Sequence, residues 1–143
     1  MAITVPVDGD LISANGFGAP VANQLNSLVP TVWTGVTFAS GFSNLSGFQT
    51  CQYRKVGDQV YIRGVFQSVN AITANNEVVW GNVPAGFGPP VVLILASVCG
   101  SGGVTAFARV DIRADGSMSV RPGMALNAGA NSIGAGFTWS TSV

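Results

Sequence analysis

Side chains able to do acid–base or nucleophilic chemistry are scarce in this chain. It has no histidine, so the usual general base, proton shuttle and commonest metal ligand are all missing. Its two thiols, Cys51 and Cys99, lack the imidazole that would activate a nucleophile, and they read as buried, reduced residues behaving as small hydrophobes. Six acidic residues offer few pairs. Asp8 and Asp10 flank Gly9 in a turn that lacks the oxygen ligands of a calcium loop, and Asp111 and Asp115 stand on either side of Arg113, an arrangement suited to surface ion pairing. A two-carboxylate glycosidase would need partners from distant parts of the chain, and nothing places them. Gly100-Ser101-Gly102-Gly103 is followed by neither a lysine nor a helix, so it is a hairpin tip and no phosphate cradle. The expectation is a non-enzymatic chain without metal or cofactor.

Composition points to association. Across 143 residues only 8% are charged, with zero formal net charge, where an ordinary soluble domain carries about 25%. Mean hydropathy is +0.44. So little charge leaves a small domain either burying large areas between subunits or relying on Ser, Thr, Asn and Gly for solubility, and the former is favoured. Six scattered Lys and Arg residues do not make a nucleic-acid footprint. Membrane insertion is not expected, because the longest apolar run, Val91 to Ala96, is far short of the roughly 20 residues a spanning helix needs, and it reads as a buried strand. Met1 to Pro6 lacks the basic and apolar regions of a signal peptide.

The elements that must position any site are strands. Tyr53-Arg54-Lys55-Val56-Gly57-Asp58-Gln59-Val60-Tyr61-Ile62-Arg63-Gly64 reads as a hairpin, with Gly57-Asp58 between two runs of period-two alternation. Val60, Ile62 and Phe66 face one way, toward a core. Tyr61, Arg63 and Val65 face the other, a surface too rich for plain solvent and too polar for a second core, and suited to cover by another chain. From Val32 onward the pattern is all β: a strand from Trp33 to Phe38, a loop from Ala39 to Gly47, the central hairpin, and Glu77 to Trp80. The Pro/Gly-rich crossing loop Val83 to Pro90 comes next, anchored by Phe87, before the hairpin Val91–Cys99/Val104–Arg113, Ser117 to Arg121, and a last strand through Ile133, Ala135, Phe137 and Trp139. Seven or eight short antiparallel strands at this spacing predict a β-sandwich or jelly roll.

Residues 1–30 differ from the head, residues 31–143. Ile3-Thr4-Val5-Pro6-Val7 is an extended apolar arm. Val21, Leu25 and Leu28 make one narrow stripe on a short helix opened by Pro20 and stopped by Pro30. About ten residues of helix are marginal alone in water, so it either docks on the head or associates with its own copies.

These residues also carry a resemblance. Trp33, Phe42, the string from Tyr53 to Asp58 with Val60-Tyr61-Ile62-Arg63-Gly64, Val83-Pro84-Ala85-Gly86-Phe87 with Pro89, Asp115-Gly116 and Trp139 resemble the β-rich head domain of bacteriophage tail-fibre, tail-tip and minor tail proteins. Residues 7 to 28 resemble the short attachment segment of some of them. The resemblance implies a homotrimeric, non-enzymatic virion component, made in the host cytoplasm, which joins other virion proteins through its arm and touches host-surface saccharide.

Two functional classes follow. In a glycan-binding tail head, Phe42, Trp80 and Phe87 are the candidate sugar contacts. In a capsid decoration trimer, the arm hooks a lattice and the head only buries area; small size and the absence of a shaft between arm and head suit this alternative. In either, Ile3, Val5, Val21, Leu25, Leu28, Tyr61 and Arg63 are candidate oligomer or attachment residues.

Overall fold

Alternation of apolar and polar residues predicts strands, and strands dominate the computed structural model, which describes residues 25–143. In chain order they are β1 (Thr34–Gly35), β2 (Thr37–Phe38), β3 (Phe42–Asn44), β4 (Gln52–Val56), β5 (Gln59–Arg63), β6 (Val65–Ser68), β7 (Val78–Asn82), β8 (Leu93–Ser101), β9 (Val104–Ile112), β10 (Ser117–Pro122), β11 (Asn131–Gly134) and β12 (Phe137–Ser140). They form two antiparallel sheets. One has the order β1-β4-β5-β12, the other β2-β7-β10-β9-β8-β11-β6-β3.

The strand count exceeds the expected seven or eight because β3 forms within a predicted loop and three predicted strands each break and pass from one sheet to the other. The first breaks at Val36, the second at Gly64 and the third at Ala135-Gly136. Strands that change sheets make the corners of closely packed sandwiches. Here the corners are stacked: Val36 N–H donates to Cys51 C=O at 3.1 Å, and Ala135 N–H donates to Gly64 C=O at 2.8 Å. Gly64 has φ +137°, and a Cβ on it would lie 2.4 Å from Cys51 Cα. Only glycine lets the two backbones approach this closely.

The eight-stranded sheet curls until its ends meet. Phe66 on β6 stacks on Trp80 of β7, and Phe38 on β2 packs against both rings at 6.2–6.3 Å. The edge strands β2 and β3 are joined by a tight turn in which Gly41 has φ +87°. Around these rings the core gathers Ile72, Val110, Ile112, Met118, Val120, Leu126 and Ile133. Val60 and Ile62 face it from the four-stranded sheet, as their alternation requires. Cys51 and Cys99 are buried and free.

Two expectations need correction. Val91 to Ala96 is not a buried strand: Val91 and Val92 precede β8, and Ile94 and Ala96 face outward on it. An apolar run alone cannot tell which face of a strand is covered. Ala39 to Gly47, predicted as a loop, contains β3, paired with β6.

Of the predicted helix the described residues retain one turn, at 25–27. The chain then lies along the central hairpin, with Gly57 N–H donating to Ser27 C=O and Thr31 N–H to Lys55 C=O, both at 2.8 Å. Leu25 is half-buried and Leu28 exposed. Ile3, Val5, Val21 and the Asp8-Gly9-Asp10 turn lie outside the described residues.

Candidate functional site

The three aromatic residues expected to contact sugar are structural to different degrees. Trp80 is 0% exposed and out of reach of a sugar: its short strand buries the indole between the two ends of the curled sheet. Phe42 packs edge-on against Phe66 with centroids 6.1 Å apart, half-buried against the core. Phe87 holds the crossing loop on the four-stranded sheet. Its ring meets Tyr53 edge-on at 5.1 Å, and its carbonyl accepts the Trp139 indole N–H at 2.7 Å. Lys55 Nζ donates to the neighbouring Gly86 C=O at 3.2 Å.

The outer face of the four-stranded sheet brings together residues far apart in sequence. Pairing sets Arg54 opposite Tyr61 and Gln52 opposite Arg63, with Thr138 beyond Tyr61. Trp33, just ahead of β1, falls beside Arg54 because Thr34 pairs with Tyr53. The Arg63 guanidinium lies 3.9 Å from the centroid of the Trp33 ring, and that of Arg54 lies 4.6 Å from it. Arg54 is also 5.8 Å from the Tyr61 ring. Arg63 Nη2 donates to Gln52 Oε1 at 3.0 Å. Tyr61 and Arg63, expected on one outward face, are therefore half-buried members of a cation–aromatic cluster. Trp33 and Arg54 were missing from the candidate residues, although a two-residue turn at Gly57-Asp58 sets Arg54 opposite Tyr61.

The outer face of the eight-stranded sheet divides in two. On β8 and β9, Ile94, Val98 and Phe107 are 61%, 52% and 76% exposed, with Val98 paired to Phe107. Beside them is a shallow depression of about 550 Å³ lined by Ile94, Ala96, Phe107, Arg109, Arg121 and Asn75. Toward β10 and β7 the face becomes ionic. Arg109 grips Asp111 through two hydrogen bonds of 2.7 and 2.8 Å. Glu77 accepts from Ser119 Oγ at 2.7 Å, Arg121 Nη2 at 2.8 Å and Arg113 Nη2. These hydrogen bonds, Ser119 first, then Arg121 and Arg113, lower the Glu77 carboxyl to about 2. Phe107 alternates onto the face that carries Arg109 and Asp111, and sequence reasoning did not single it out. Phe48, also unanticipated, is exposed at the rim of a second depression, of about 420 Å³, beside the β8–β9 tip.

Among the described residues no three His, Cys, Asp or Glu side chains cluster to hold a metal ion, and no helix is long and apolar enough to cross a membrane. Two antiparallel sheets with shared strands, carrying a cation–aromatic cluster and an open apolar face, define a β-sandwich domain. Over residues 27–137 the chain matches the family model of the YomR C-terminal beta sandwich domain, and it belongs to that family. Among solved structures it is similar to the head domain of phage bIL170, described with the receptor-binding domains of lactococcal phages. The two share 20% sequence identity with a TM-score of 0.59 over 76% of this chain and 96% of that one, a likeness of fold. No curated protein matches the sequence.

Proposed function

We propose that the chain is a non-enzymatic virion protein of the phage receptor-binding head type, a homotrimer that meets host-surface glycan with the faces its subunit contacts leave free. The observation that carries this is the open apolar face of β8–β9. Ile94, Ala96 and Val98 line one exposed face of β8, with Phe107 opposite Val98 on β9, in a chain with only 8% charged residues, and an exposed apolar patch of this kind marks an interaction surface. The family and the fold of the bIL170 head support the setting. A second and third copy are the natural cover, since self-association buries a patch on every subunit with one surface. Attachment to neighbouring virion proteins falls to the N-terminal arm.

Light scattering on the full chain and on Phe107→Asp tests this. The wild type is expected at three times the chain mass, and the variant at a lower mass with its β-sheet spectrum intact. A monomeric wild type overturns the proposal.

A further inference from the structure

The geometry points to a site for an anionic sugar, one bearing a carboxylate or phosphate, held by Arg54 and Arg63 against Trp33 on the outer face of the four-stranded sheet. The first ground is the distribution of charge. Of six cationic residues, Arg109, Arg113 and Arg121 are each paired with Asp111 or Glu77. Arg54, Lys55 and Arg63 have no carboxylate partner among the described residues, and all three stand on the β4–β5 hairpin. Lys55 is occupied elsewhere, with Gly86 C=O and the Phe87 ring. Two guanidinium groups on neighbouring strands are thus left without an anion among the described residues.

The second ground is their preorganisation. Both rest against one indole ring, at 3.9 and 4.6 Å, and the attraction of a cation to an aromatic face limits the rotamers the long side chains explore. Arg63 spends one Nη2 donor on Gln52, and the Nε atoms of Arg54 and Arg63 are covered, so the donors either residue can offer a ligand are its remaining Nη hydrogens. Guanidinium Nη donors match the oxygens of a carboxylate or phosphate.

The third ground is what surrounds them. Gln52, Tyr61 and Thr138 on this face are uncharged hydrogen-bonding residues suited to sugar hydroxyls. Two guanidinium groups on a chain of zero net charge do not supply the several phosphate contacts that nucleic-acid affinity requires. The identity of the ligand as a host-surface sugar rests on the receptor-binding proposal. The site itself does not, because it lies on the other sheet from the β8–β9 face and needs no second subunit.

Trp33 gives the assay its probe. Trp80 and Trp139 are buried, so the half-buried Trp33 is the indole whose emission responds to a ligand at this surface. Full-length protein is titrated with glucuronate, glucose 1-phosphate and glucose. A saturable change with at least one charged sugar and none with glucose is expected, and which of the two binds tells carboxylate from phosphate. Affinity should fall at least tenfold in Arg63→Gln, and in Arg54→Gln should the first variant fail to fold. Silence toward both charged sugars, an equal response to glucose, or unchanged affinity in both variants overturns the site. Inorganic phosphate or a short single-stranded DNA binding more tightly than either sugar overturns the ligand class. The trimer mass is unaffected by any of these outcomes, so failure here is separable from failure of the subunit proposal.

Discussion

Phe66 and Trp80 stack with centroids 4.1 Å apart and planes inclined by 13°, although four strands separate β6 from β7 in their sheet. The contact holds together the two ends of a curled sheet, so it is long-range in topology as well as in sequence. Trp80→Ala should cost about 3–5 kcal/mol, the range for emptying a buried aromatic position. Trp80→Phe, which keeps a ring against Phe66, should cost less. Urea unfolding of both variants checks the order, and a near-neutral Trp80→Ala would remove the indole from the core.

Gly64 and Gly35 make a matched pair for substitution by alanine. At Gly64 the backbone is left-handed and Cys51 stands 2.4 Å from the new Cβ, whereas at Gly35 no atom lies within 4 Å. Gly64→Ala should therefore lower the unfolding free energy by more than about 1–3 kcal/mol, since strain and collision with backbone act together. Gly35→Ala should stay within about 0.5 kcal/mol. Equal effects at the two positions would mean that the sheet-crossing corner tolerates a side chain.

How much of this was legible beforehand depends on the range of the interaction. Alternation in Val60, Ile62 and Phe66 identified inward residues correctly, because facing is set within a strand. It could not show that one run serves two sheets, since Gly64 interrupts the ladder without disturbing the side-chain pattern. Trp80 looked available to a ligand because its strand is short and followed by a loop, and nothing local signals that Phe66 arrives from the far end of the sheet. Likewise Val91 to Ala96 has the composition of a core strand, while the cover it lacks is a property of the assembled sheet. The Trp33 cluster was half visible: Tyr61 and Arg63 share a face by period two, but Trp33 reaches them only through the β1–β4 pairing.

Cys51 should be inert in the native protein. Burial pushes its thiol up to about 12, and the thiolate is the form that reacts. At pH 8 iodoacetamide should leave Cys51 unmodified in folded protein and label it fully in denaturant, read by intact mass and peptide mapping. Rapid labelling of the folded chain would mean that the corner around Gly64 opens readily.

Glu77 predicts how the fold responds to acid. Its carboxyl is lowered to about 2 in the folded chain by Ser119, Arg121 and Arg113, against about 4.3 for an unperturbed glutamate. A depressed folded value means that the unfolded state binds the proton first. The stabilisation is therefore fully present above about pH 4.3 and is lost as pH falls through about 2. The ion cluster is partly open to solvent, so salt should weaken the effect. Glu77→Gln removes the titrating group, leaving Arg113 and Arg121 without their carboxylate at every pH. The wild type should be the more stable of the two at pH 6, and the gap between their thermal midpoints should narrow steadily from pH 5 to pH 2. A gap independent of pH would show that Glu77 acts through packing and hydrogen bonding to Ser119, with its charge contributing nothing.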